Sequence, residues 1–137
     1  MRRHAVQEFT AHMHREPHRY VAGRLPSLPF ADASFDLVLS SHLLFSYSDR
    51  LGHTFHVDAI SELMRVARGE LRIFPLVASG SSDCYARFDD LFANLRDRNI
   101  AGEVGEVVEV DYRFQGGRQP DVVCRQTTTP GSGAAPA

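Results

Sequence analysis

Lysine is absent from this sequence: all 15 cationic side chains among its 137 residues are Arg. Arg offers a planar fork for bidentate anion contacts, but codon composition is the simpler account of the bias. Charge of one sign is also lacking. A net charge of −2 leaves no basic footprint of the kind that nucleic acid or an anionic membrane requires, so neither is an expected partner. Cysteine is scarce, with only Cys84 and Cys124, far apart and without a CxxC or other ligand spacing. That excludes a disulfide framework or a Cys-rich zinc site and fits two reduced thiols, with a single disulfide left open. No apolar stretch approaches the roughly 20 residues of a membrane span, and the opening MRRHAVQEF has no uninterrupted apolar core of a signal sequence. These absences point to a cytoplasmic protein of one domain, large enough to bury roughly 65 to 70 % of its unfolded surface.

The most informative stretch is Leu28 to Phe45, LPFADASFDLVLSSHLLF. Pro29 fixes its own φ and biases Leu28 away from helix, and Asp32, Ala33 and Ser34 supply turn chemistry. From Phe35 through Leu37, Val38 and Leu39 the sequence is a short apolar run, as expected of a strand covered on both faces in a parallel sheet. At Ser40, Ser41 and His42 it turns polar, where the carboxyl end of that strand falls. Ligands bind at that end in open α/β sheets.

The remaining chain alternates in the α/β manner. His4 to Arg15 is predicted as an amphipathic helix ending before Pro17, with an apolar face that needs a sheet to cover, and Arg19 to Gly23 as a brief strand. Ser46 to His53 reads as a surface loop. Val57, Ile60, Leu63, Met64 and Ala67 recur at helical spacing, with Gly69 as the expected stop, and Leu71 to Val77 reads as a buried strand. Ser82 or Asp83 is a candidate cap for a helix whose inner face is Phe88, Leu91, Phe92 and Leu95. The period then becomes two from Glu103 to Phe114. Gly116-Gly117 and Asp121 to Arg125 complete a predicted antiparallel hairpin, and the tail 127–137 has no core-forming residues and is expected to be disordered.

LPFADASFDLVLSSHLLF resembles the fourth-strand region of class I S-adenosylmethionine-dependent methyltransferases, in the small-molecule branch marked by a loop of the form LPF-x-D-x-SFD-x-V. The likeness continues through the helix from about Phe55 to Arg68, the strand GELRIFPLV and the final strands, to about Gln126. It implies a partial Rossmann-like methyltransferase domain over 1–126, mainly parallel with a C-terminal antiparallel hairpin, belonging to a seven-strand order 3-2-1-4-5-7-6. It also implies S-adenosylmethionine as cofactor and a small-molecule methyl acceptor as partner.

No G-x-G-x-G follows a strand here, and the acidic residue that holds the ribose in relatives is missing as well. The resemblance therefore covers the carboxyl-terminal portion of the family fold, and the chain is expected to be a truncated form that is inactive alone. The alternative is a non-catalytic remnant or association module. An exposed apolar edge on the strand at Asp36 to Leu39 is then expected to drive self-association or to pair with another chain.

By resemblance, Arg24, Leu25, Ser27, Ser40, Ser41 and Phe45 fall on the cofactor side, and His42 is the candidate general base. At Arg24 many relatives carry an Asp that accepts from the adenine amino group. Arg has no acceptor, so it either stacks on the adenine or is a solvated loop residue, the adenine then being held by backbone near Leu25 and Ser27. Each assignment has a plainer counterpart: His42 as a loop-bonding residue, Phe45 and Tyr47 as cover for the sheet end, Asp32 and Asp36 as turn caps. His53 with His56, and His12 with His14, are spaced as pairs, but no Cys or carboxylate completes a ligand set, and no metal is expected.

Overall fold

The computed structural model describes residues 2–77, 85–106 and 120–127. Helix α1 (Arg2–Arg15) leads through a short 3-10 turn at Pro17–Arg19 and an irregular segment to strand β1 (Phe35–Ser41). Helix α2 (His53–Val66), strand β2 (Ala67–Phe74), helix α3 (Phe88–Arg96), strand β3 (Ile100–Glu106) and strand β4 (Pro120–Gln126) follow. The sheet order is β1-β2-β4-β3, which is the 4-5-7-6 part of the order implied by the resemblance. β1 and β2 are parallel, while β4 runs antiparallel to both β2 and β3. The fold is thus α/β with an antiparallel carboxyl-terminal pair, its parallel part confined to β1 and β2.

Helices α2 and α3 cover one face of the sheet. Ile60 and Met64 from α2, Leu71 and Ile73 from β2, Leu91 and Leu95 from α3, and Val122 and Cys124 from β4 are essentially without solvent contact. Removing such side chains from water contributes about 1.5–3 kcal/mol each, which makes this layer the main source of stability. Leu91 and Leu95 are the buried positions of α3, with Phe88 and Phe92 packed beside them, as the spacing predicts. Among the described residues no helix is long and apolar enough to cross a membrane.

Arg19 to Gly23 does not form the predicted strand. Arg19 closes the 3-10 turn, and Tyr20 packs edge-on against Phe9 and His12 of α1, leaving Val21 largely exposed. A ladder needs a partner as well as apolar residues, and among the described residues the edge of β1 does not receive this segment. The apolar positions Val6 and Phe9 of α1 accordingly remain exposed, with no sheet over them.

Gly69 does not stop a helix. α2 ends at Val66 and passes directly into β2, where Gly69 sits at the irregularity in the β1–β2 register between Phe35 and Leu37. A Cβ at Gly69 would lie 2.7 Å from the Asp36 carbonyl oxygen, so the close approach of the two backbones accounts for the glycine. α3 begins at Phe88 with Arg87 at its cap. The candidate caps Ser82 and Asp83, the hairpin turn at Gly116-Gly117, and all of the tail but Thr127 lie outside the described residues.

Candidate functional site

The carboxyl ends of β1 and β2 define the ligand end of the parallel pair. Ser40 is half-buried there, and Ser41 and His42 are exposed. His42 takes a left-handed φ of 55°, which turns the chain sharply off the strand while its N–H donates to the Phe74 carbonyl oxygen at 2.8 Å. Its ring meets Phe74 edge-on at 5.7 Å, and Nδ1 is 2.7 Å from the Ser41 hydroxyl. The strand-end turn is thus a hydroxyl and an imidazole held together beside an aromatic ring, with Leu43 exposed next to them.

Phe45 sits behind this turn rather than on it. It is 1 % exposed, stacks on His56 at 5.3 Å, and packs against Tyr85 and Phe88. Its side chain belongs to the core and supports the turn from below. Tyr47 is exposed.

His56 is fully buried. Its Nδ1–H donates to the Gly52 carbonyl at 2.9 Å, and Nε2 has no partner among the described residues. His53 belongs to a different network. Asn94 Nδ2 donates to His53 Nε2 at 3.1 Å, which assigns the His53 proton to Nδ1 and directs it to the Tyr85 hydroxyl oxygen at 3.0 Å. Burial, with the nearby Arg87 charge, holds His53 below the usual histidine range, and burial raises Tyr85.

Arg24, Leu25 and Ser27 lie on a separate turn. Arg24 and Ser27 form an isolated antiparallel bridge around the cis Leu25–Pro26 bond, with Ser27 N–H donating to Arg24 O at 2.9 Å. Leu25 packs partly against the core, and the side chains of Arg24 and Ser27 face water. Among the described residues no hydrogen bond joins this turn to Ser40, Ser41 or His42.

The residues that position the LPF loop are Glu62 and Arg65. Leu28 N–H donates to Glu62 Oε1 at 2.8 Å, Arg65 Nη2 donates to Leu28 O at 3.2 Å, and Arg65 Nη1 donates to Asp32 Oδ1 at 2.7 Å. Arg65 also bonds Glu62 through both Nε and Nη2, and its own carbonyl accepts from Ala33 N–H at 2.8 Å. The Arg65 guanidinium beside Glu62 holds that carboxylate below its usual range. Sequence reading missed both residues, although their i, i+3 spacing near the end of α2 was a usable sign. Asp32 acts as an anchor of this loop, and Asp36 pairs with Arg68.

Where S-adenosylmethionine is concerned, the donors at the strand end suit one part of it. The hydroxyls of Ser40 and Ser41 and the His42 ring match the polar amino-acid end of such a molecule, and Leu43 offers apolar surface beside them.

The methyltransferase domain family matches residues 2–73, just over half of the chain and including α1, the LPF loop, β1, α2 and most of β2. An uncharacterized protein of Methanocaldococcus jannaschii is 32% identical over 109 residues, covering 79% of this chain and 44% of its own length. A crystal structure of an S-adenosylmethionine-dependent methyltransferase from Methanosarcina mazei aligns with 16% identity and a TM-score of 0.44, over 74% of this chain and 63% of that one. The chain therefore spans less than half the length of the relative and under two thirds of the solved chain. By its family match, its loop and strand motif and its sheet order, the chain belongs to the class I S-adenosylmethionine-dependent methyltransferase domain family.

Proposed function

We propose that this chain serves S-adenosylmethionine-dependent methyl transfer to a small-molecule acceptor, with Ser40, Ser41 and His42 lining the cofactor and acceptor side. The observation that carries this reading is the polar turn at the carboxyl end of β1, inside the family match and at the end of the sheet where such folds bind ligands. When bound, the cofactor supplies an electrophilic methyl group on a sulfonium. Ser40 and Ser41 contribute hydrogen bonds to its polar end. Arg24, with the backbone at Leu25 and Ser27, lies toward the adenine, and Phe45 supports the turn from the core.

His42 holds the acceptor and takes its proton. For that role Nε2 must be free of hydrogen, which places the ring proton on Nδ1, donated to the Ser41 hydroxyl at 2.7 Å. Ser41 is then a positioning residue for the base.

Isothermal titration with S-adenosylhomocysteine tests the reading. Saturable binding is expected, weakened about tenfold by Ser41→Ala, or about 1.4 kcal/mol for one lost hydrogen bond. A folded sample that takes up no ligand would overturn it. The exposed apolar edge of β1 favours a second reading, a non-catalytic association module, in which the same sample binds no cofactor but self-associates.

A further inference from the structure

At the end of the sheet opposite His42, a cleft of about 430 Å³ lies between the last turns of α2, the start of β2, the end of β4 and the segment leading into β3. Its floor is Met64, Ala67 and Ile100, each at most 3 % exposed. Three guanidinium groups line it, those of Arg65, Arg68 and Arg98, against one carboxylate, that of Asp32. Apart from Asp32 and Ala33, every lining residue comes from α2 onward in the chain, so the cleft is built by elements that the sheet order β1-β2-β4-β3 sets on the closed side of β1.

The polar groups of this cleft are unevenly spent. Three carbonyls in the last turn of α2 are already in use: Leu63 O accepts from Ala67 N–H, Met64 O from the Gln126 side-chain amide at 3.5 Å, and Arg65 O from Ala33 N–H at 2.8 Å. These bonds blunt the negative end of the helix. The donors are not exhausted. Arg68 holds Asp36 through Nε and Nη2, and Arg98 holds Asp58 and Ser61 through Nη1, so among the described residues Nη1 of Arg68 and both Nε and Nη2 of Arg98 have no partner. The carboxylates of Asp36, Asp58 and Glu62 do not line the cleft. Exposed pairs of this kind hold little energy, but they fix the direction of each guanidinium fork. Donors in surplus beside acceptors already satisfied suit a ligand made of acceptors.

We infer that this cleft binds a phosphoryl group, carried as a phosphate ester or a diphosphate. The forks of Arg68 and Arg98 match its oxygens, and Arg65, tied to Glu62 and Leu28 O, adds a third positive charge at a fixed position. The dry floor of Met64, Ala67 and Ile100 keeps water from one side and so strengthens these charge-assisted bonds. The volume falls in the range of small-molecule sites and leaves room for more than a bare phosphate. Asp32 is the one lining group that opposes the ligand. The site stands at the other end of the sheet from Ser40, Ser41 and His42, and the inference does not depend on cofactor binding or methyl transfer.

Isothermal titration with inorganic pyrophosphate, in a buffer free of phosphate and divalent metal, reads the outcome, with circular dichroism melts to establish that each variant is folded. The wild type should take up one pyrophosphate with a Kd tighter than about 1 mM. Arg68→Gln and Arg98→Gln should each weaken uptake about tenfold. Asp32→Asn should strengthen it about threefold by removing the opposing carboxylate. Arg96→Gln makes the same change of net charge on the exposed side of α3, outside the cleft, and should leave uptake unchanged. Absence of uptake by the folded wild type, affinity untouched by Arg68→Gln and Arg98→Gln, or weaker uptake by Asp32→Asn would each overturn the proposal. A loss in Arg96→Gln as large as that in Arg98→Gln would mean an adventitious ion only and would overturn it as well. Should either cleft variant fail to fold, the Lys variant at that position decides: it keeps the charge, loses the fork, and should still weaken uptake about threefold, whereas wild-type affinity would overturn the assignment of that residue and with it the site.

Discussion

Helices α1 and α2 are both 14 residues long, yet they stand in opposite relations to the molecule. α2 buries His56, Val57, Ala59, Ile60, Leu63, Met64 and Val66 against the sheet and α3. α1 buries none of its described side chains and packs mainly on its own following turn, through Phe9 and Tyr20. Length and helical periodicity make a helix possible, but a facing surface makes it matter, since packing supplies most helical stability in proteins. The family match spans both helices, so their difference comes from what each one faces.

The contrast can be broken most forcefully in α2. Ile60→Ala removes a fully buried side chain from the centre of the core and should cost about 2–5 kcal/mol, enough to unfold a marginal domain, as read by urea denaturation. Arg65→Ala comes next. It releases Leu28 O, Asp32 and Glu62 together, and should cost about 1–3 kcal/mol while raising proteolysis within the LPF loop ahead of the rest.

Acid sharpens the comparison through the same pair. Glu62 is depressed below its ordinary range mainly by the Arg65 hydrogen bonds. A depressed carboxylate contributes stability that is present above the unfolded pKa and lost as pH falls through the folded one. The melting temperature should therefore drop as pH falls through and below the ordinary carboxylate range. Glu62→Gln should flatten part of that slope, and a slope identical to wild type would rule out this carboxylate as its source. The smallest effect belongs to α1: Phe9→Ala, at a side chain 54 % exposed, should change global stability by less than about 0.5 kcal/mol.

The elements legible in the sequence were those whose pattern includes their own partner. Val57, Ile60, Leu63 and Met64 repeat at helical spacing because the sheet lies along that face. Phe35 to Leu39 does form a strand beside β2, but the expected cover on both faces is absent: Val38 is half-buried, whereas Phe35, Leu37 and Leu39 are exposed. Ser40 to His42 was readable for the same reason, as polarity returns where the strand ends. Arg19 to Gly23 misled because an apolar run carries no information about whether an edge is there to receive it. Gly69 misled because a glycine after a helix normally marks a stop, whereas this one yields space to the Asp36 carbonyl. The pair Glu62 and Arg65 went unread because its partners, Leu28 and Asp32, lie more than 30 residues away in the chain. Phe45 illustrates a further limit: an aromatic next to a strand end fits a pocket wall and a core equally well until its neighbours, His56 and Tyr85, are seen.

Cys124 lies at the middle of the antiparallel layer, on β4 between β2 and β3, with its thiol wholly enclosed. Burial pushes that thiol up to about 12, so at neutral pH it is both protonated and unreachable by a dissolved disulfide reagent. It can react only when the layer between the sheet and helices α2 and α3 opens. In a Cys84→Ser background the labelling rate of this one thiol is therefore a built-in stopwatch for opening of the core.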